Sequence, residues 1–226
     1  MMKYSCQAIS WNASGAEIEA ESFRRIEAEV KPEVLRRFTP GEWRVVRRLI
    51  HTTADFSVAD MIGFKNDPVS AGLAALRDGA LIYSDSNMIK AGLSVSKLSC
   101  FNSSYSRDSI LCPSLAAQVG ELARQKHITR ALAGVELYLD KIDGAIFLCG
   151  NAPLALAGVA EAALEGRIKP RLIIAMPVGF VNVVEAKELA MRLNDVPMII
   201  LNGRRGGSPL AVAALHGIME SGVELQ

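Results

Sequence analysis

The residues best suited to chemistry lie between positions 43 and 54. At about 100° per residue, Trp43, Val45, Val46, Leu49 and Ile50 fall on one side of a helix, and Arg44, Arg47, Arg48 and His51 on the other. His51 can donate or accept a proton near neutral pH. Arg48 precedes it by three residues and so neighbours it on one helix face. A clustered basic face repels itself unless something negative meets it. The candidates are water with counterions, an acidic patch of a second subunit, or an anionic ligand. A lone histidine is also a common structural residue, and spacing alone leaves the role of His51 open.

Three loops carry the other candidates. Gly203 to Ser208 combines three glycines with Arg204 and Arg205 directly before a helical pattern. Free backbone N–H groups, two guanidinium groups and a helix start together make an anion site, although a solvated turn with two surface arginines fits the same residues. Met176 to Asn182 is apolar for a loop, so it is either buried or lines an apolar site. Gly150-Asn151-Ala152-Pro153 places an N-cap candidate, Asn151, before a proline suited to a first helical turn. Neither G-x-x-x-x-G-K-[ST] nor G-x-G-x-x-G after the first strand occurs, so the usual nucleotide-phosphate fingerprints are missing.

These loops need elements to hold them. Helices are expected from about Ala20 to Val30 and from Thr39-Pro40 to Ala54. Short apolar runs at Gly79–Asp85, Gly144–Cys149, Arg171–Met176 and Pro197–Leu201 read as strands, with Lys97–Phe101 a weaker one. Pro113 to Leu139 reads as one long or broken helix. Helical segments follow the strands: one to Gly92, then from Pro153 to Glu165, Val183 to Leu193 and Ser208 to Met219. Alternation of strand and helix implies an α/β fold of three layers: a parallel sheet of about five strands with helices on both faces. Functional groups then gather at the carboxyl ends of the strands.

Composition agrees with this class. The 226 residues are 50% hydrophobic but only 6% aromatic, and Ala, Val, Leu and Ile supply the apolar content, as a sheet buried on both faces requires. The formal net charge of +1 gives no reason to expect a general nucleic-acid binder or a polybasic membrane-surface protein. Cys6, Cys100, Cys112 and Cys149 form no C-x-x-C pair, and the histidines have no zinc-ligand spacing, so reduced thiols in a cytoplasm are expected and no metal site. No run is apolar and long enough to span a bilayer. Residues 1–15 read as a loosely ordered N-terminal segment, and 16–226 as a single domain.

The chain resembles the precorrin-8X methylmutases, the precorrin isomerases of vitamin B12 biosynthesis. Six ordered motifs between about residue 16 and residue 219 carry the resemblance: Glu21-Ser22-Phe23; Arg48 to His51; Asp85 to Met88 with Gly92; Gly150 to Pro153; Met176 to Val181 with Glu185 and Lys187; and Gly203-Arg204 with Gly206 to Ser208. The resemblance implies a flavodoxin-like fold and a homodimer with its site near the subunit interface. It implies migration of a methyl group from carbon 11 to carbon 12 of precorrin-8 or cobalt-precorrin-8, giving hydrogenobyrinic acid or cobyrinic acid. His51 matches the family's proton donor/acceptor, and Ser22 and Arg48 match substrate-contacting residues. Lys187 and Arg204 lie in matched motifs and are carried as substrate contacts. An isomerisation needs no methyl donor and no redox cofactor; cobalt, where present, belongs to the tetrapyrrole substrate. Two other readings stand beside this one: a non-catalytic corrinoid carrier, and a flavodoxin-like nucleotide or flavin protein.

Overall fold

The computed structural model describes residues 11–223. Residues 1–10 of the expected loose N-terminal segment lie outside the described residues. In chain order the helices are α1 (Gly15–Glu29), α2 (Pro32–Leu35), α3 (Pro40–Thr53), α4 (Val58–Met61), α5 (Pro68–Arg77), α6 (Asn87–Gly92) and α7 (Val95–Ser99). The second half holds α8 (Ala117–Lys126), α9 (Arg130–Leu137), α10 (Leu139–Ile142), α11 (Pro153–Leu164), α12 (Val183–Met191) and α13 (Ser208–Val223). The strands are β1 (Ile62–Lys65), β2 (Ile82–Ser84), β3 (Ile110–Leu111), β4 (Ile146–Cys149), β5 (Leu172–Ala175) and β6 (Met198–Leu201).

They form one six-stranded sheet in the order β1-β6-β5-β4-β2-β3. All neighbours are parallel except β1, which runs antiparallel to β6 with Ile62 opposite Leu201. Numbered among themselves, the five parallel strands follow the order 2-1-3-4-5, the flavodoxin-like arrangement with its switch point between β2 and β4. The expected fold class therefore holds, with one more strand than expected.

Successive residues of a strand point to opposite faces, and the sheet uses both. Ile146 and Leu148 pack into the cluster built with α3, α5 and α13, while Phe147 and Cys149 pack into the cluster with α9, α11 and α12. All four residues of β4, β5 and β6 are buried. Burial on both faces is what makes these strands continuous apolar runs.

Two local expectations are corrected, the choice left open for residues 113–139 falls to the broken helix, and two edge strands are added. The first helix begins at Gly15 rather than Ala20, because Ser14 and Glu17 form a capping box. Residues 97–99 are helical, not a strand, since the Ser94 hydroxyl caps α7 by accepting from the Lys97 amide. The 113–139 segment is broken by His127 in the left-handed region and restarted by the Thr129 cap of α9. The edge strands β1 and β3 gave no signal: β3 has two residues, and Gly63 and Lys65 interrupt the apolar run of β1.

Candidate functional site

Helix α3 begins with a capping box of Thr39 and Glu42 and with Pro40 in its first turn. Val45, Val46, Leu49 and Ile50 are buried and press it onto α13. That anchoring turns the His51 side toward α1. There Ser22 Oγ lies 2.7 Å from His51 Nδ1, and the Phe23 ring meets the imidazole edge-on at 5.2 Å. The two contacts fix the ring's position and plane. A cleft of about 560 Å³ opens beside it, walled by Ile18, Ser22, Ile50, His51, Ala54 and Phe56. Sequence alone placed functional groups at the strand ends; the cleft instead lies between α1, α3 and the turn after α3.

The Ser22 bond leaves Nε2 as the nitrogen available for exchange with a ligand. A serine hydroxyl both donates and accepts. When it accepts, the ring's proton is on Nδ1 and Nε2 is a base. When the ring is charged it carries both protons, the serine still accepts from Nδ1, and Nε2–H is the acid. The pair therefore supports either direction of proton transfer without rearranging heavy atoms.

The basic face of α3 has a partner that spacing did not suggest, namely acids of this same chain. Arg48 bonds Glu19 of α1 at 3.1 Å and Glu220 of α13 at 3.2 Å. Arg47 pairs with Glu27 and Glu220, and its guanidinium lies over the Phe23 ring at 4.2 Å. Arg48 is only 8% exposed. Burial works against ionised Glu19, but the Arg48 pair outweighs it and holds the carboxyl below its ordinary value. These pairs lock α1 to α3 and so set the Ser22–His51 distance.

The carboxyl rim of the sheet is assembled by cross-loop contacts. Gly207 donates its amide to Met176 O, and Gly179 donates to Arg204 O, tying the loop after β5 to the loop after β6. A Cβ on Gly206 would sit 2.2 Å from Met176 O, so only glycine permits this approach. Lys187 does not face the cleft. It is 2% exposed, and its Nζ donates to Gly203 O at 2.8 Å and Arg205 O at 2.9 Å from beneath the loop. Arg205 bonds Asp55 at 2.5 Å and Ser57 at 3.0 Å. Arg204 lies over Phe180 at 5.5 Å and makes no ion pair among the described residues. Of the two loop arginines, Arg204 is thus the one positioned to meet an anion. The 176–182 loop is buried only at its start, Met176 and Pro177; Phe180 is 85% and Val181 73% exposed, so its outer part fits the other reading, residues available to line an apolar site.

At the switch point, Asp85 follows β2 and crosses to the start of α11. Its Oδ2 accepts from the amides of Gly150 (3.1 Å), Asn151 (2.7 Å) and Ala152 (2.6 Å). The expected cap, Asn151, is exposed and no side chain caps α11; the Asp85 carboxylate instead holds the three amides that lead into the helix. A helix N-terminus at the switch point is where a flavodoxin-like fold would hold a phosphate. Here the chain's own anion occupies it, which argues against the nucleotide or flavin reading. Among the described residues no cluster of three or more His, Cys, Asp or Glu is arranged to hold a metal.

The chain as a whole is similar to known proteins. The sequence pattern of the precorrin-8X methylmutase family matches residues 17–221. The cobalt-precorrin-8 methylmutase of Methanocaldococcus jannaschii is 40% identical over 191 residues, covering 84% of this chain and 85% of that protein. The precorrin-8X methylmutase of Pseudomonas aeruginosa is 34% identical over 211 residues, covering 93% and 97%. The crystal structure of a precorrin-8X methylmutase from Thermus thermophilus is 42% identical and superposes with a TM-score of 0.82, covering 93% of this chain and 97% of that one. With its sequence pattern, its relatives and its fold in agreement, this chain belongs to the precorrin-8X methylmutase family.

Proposed function

We propose that the chain is an isomerase of cobalamin biosynthesis that moves a methyl group from carbon 11 to carbon 12 of precorrin-8 or cobalt-precorrin-8, with His51 as proton donor and acceptor. Its relatives are named methylmutases, which are isomerases. The observation that carries the mechanism is the 2.7 Å Ser22–His51 bond on the wall of the 560 Å³ cleft. His51 Nε2 protonates a ring nitrogen, the ring's electron density is drawn toward that site, the bond from carbon 11 to the methyl breaks as the bond to carbon 12 forms, and the proton returns to Nε2. Mass and oxidation level are unchanged. A positioned proton donor contributes about 100- to 10,000-fold in rate, and orientation of the ring supplies more.

Arg204 meets a carboxylate of the substrate, and the exposed Phe180 and Val181 pack on the ring or on a second copy of the chain. A homodimer fits this exposed apolar surface, since a solitary chain would leave it in water. Free thiols at Cys100, Cys112 and Cys149 suit the reducing cytoplasm, and among the described residues no helix is long and apolar enough to cross a membrane. The test is incubation with precorrin-8 and, separately, with its cobalt form. A changed absorbance spectrum at unchanged mass is the expected result. No spectral change with either substrate overturns the assignment, and binding without conversion would make the chain a corrinoid carrier.

A further inference from the structure

Lys187 is nearly fully buried, yet no carboxylate lies within ion-pair distance of it among the described residues. Its Nζ donates to two main-chain carbonyls of one loop, Gly203 O and Arg205 O. An ammonium in such a place costs free energy, and burial lowers it to about 8. A second cost lies nearby. Ala54, the residue that ends α3, has φ +52°, a left-handed conformation unfavourable for a residue with a Cβ. Ala54 and Phe56 form a wall of the cleft, and His51 stands one turn before them.

These two costs sit at opposite ends of one chain of contacts. Lys187 holds the carbonyl of Arg205, and the guanidinium of Arg205 holds Asp55 and Ser57 on either side of Phe56. Bonds to Ser57 and then to Arg205 bring the Asp55 carboxyl down to about 2, so it stays ionised across the neutral range. The turn after His51 is otherwise held by its own neighbourhood in sequence, through the Ala54 amide to Ile50 O, the Asp55 amide to Thr53 Oγ1, the Ser57 amide to Asp55 Oδ1 and the Asp60 amide to Ser57 O; Arg205 reaches it from a distant loop.

We propose that Lys187 is a positioning residue: through the 203–205 loop and the Arg205 clasp on Asp55 and Ser57, it sets the left-handed turn that holds His51 at the cleft. This rests on the reading of His51 as the proton donor and acceptor. It gives the buried lysine a task that does not require it to touch substrate. Lys187→Met keeps the bulk and removes the donors. Lys187→Arg restores donors to the carbonyls. Arg205→Gln, at a half-exposed surface position, breaks the same line without touching the core.

The experiment is a long-range nitrogen–proton NMR spectrum of protein labelled with ¹⁵N-histidine, with His127 and His216 as internal controls. Lys187→Met and Arg205→Gln are expected to move the His51 ring signals and leave His127 unchanged, and Lys187→Arg to return them most of the way. In the turnover assay, kcat is expected to fall by about 10- to 100-fold with KM nearly constant, as for a reacting group displaced by about 1 Å. The double variant is expected to lose no more than the worse single variant. His51 signals at their wild-type positions in folded Lys187→Met, or in Arg205→Gln should the former not fold, overturn the proposal. Because the ring signals need no substrate, a protein that proved inactive would overturn the proposed reaction while leaving this result readable.

Discussion

His51 and Ser22 lie 29 positions apart in the sequence and 2.7 Å apart in space. The pair defines what single substitutions should do. His51→Ala removes the proton carrier from a half-exposed position, so the variant should remain folded by circular dichroism while turnover drops by about 100-fold or more. Full activity would remove His51 from the mechanism. Ser22→Ala should cost less, about 10-fold, because the imidazole stays in place against Phe23 and loses only an orienting bond. His216 offers a different test. Burial, followed by the fields of Lys97 and Arg48, lowers it to about 4, against only a small opposing effect of Glu19. The unfolded chain takes up a proton near 6.5 and the folded chain only near 4, so stability is lost as pH falls through that window. The loss amounts to about 3 kcal/mol at most. His216→Gln should flatten the acid side of the stability curve between pH 6.5 and 4, measured by urea unfolding; an unchanged slope would show that other groups carry it.

At the scale of elements, the molecule is held by groups that bridge segments far apart in sequence. Glu220 of α13 meets both Arg47 and Arg48 of α3, and Asp85 after β2 meets three amides at the start of α11. Asp85 is 6% exposed, and its removal would strand those three donors. An unmade bond to a buried group costs about 1–3 kcal/mol, so Asp85→Ala should lower the unfolding free energy by at least about 3 kcal/mol. A loss under about 1 kcal/mol in chemical denaturation would mean that water replaces the carboxylate. The same bridge accounts for the packing around Gly150, where a Cβ would lie 2.6 Å from the Ser208 Cα. Loops after β2, β4 and β6 therefore interlock, and Ser86 Oγ and Ser208 Oγ close the ring at 2.8 Å.

At the scale of the molecule, apolar surface is concentrated where the sheet ends. Met88 in α6, Leu115 in the helical turn after β3, and Phe180 and Val181 in the loop after β5 are exposed on the segments that follow β2, β3 and β5. If this surface joins two copies, Phe180→Asp with Val181→Asp should shift the protein from dimer to monomer in sedimentation velocity without lowering its melting temperature by more than a few degrees. A dimer that survives the double substitution would place the interface elsewhere. The near-neutral net charge conceals local order: positive groups on α3 are neutralised by the chain's own glutamates, whereas Arg204 is left without an ion pair among the described residues.

Much of this was legible from the residues alone. Strands buried on both faces are short continuous apolar runs, so β2, β4, β5 and β6 announced themselves, and with them the α/β class. The amphipathic pattern of α3 placed His51 and Arg48 on one face, and the ordered motifs singled out Ser22, Lys187 and Arg204. Periodicity is a local signal, however, and it faded in β3, which has two residues, and in β1, where Gly63 and Lys65 interrupt the apolar run and only Ile62 is buried. It was also silent on every pairing across the sheet. That the arginines of α3 meet Glu19, Glu27 and Glu220, that Asp85 gathers the amides leading into α11, and that Lys187 lies under its loop were decided only by tertiary structure. The physical reason is common to all three. A charged side chain takes whichever opposite charge or orphaned backbone group the folded chain brings within about 3 Å, and sequence distance has no bearing on which one that is.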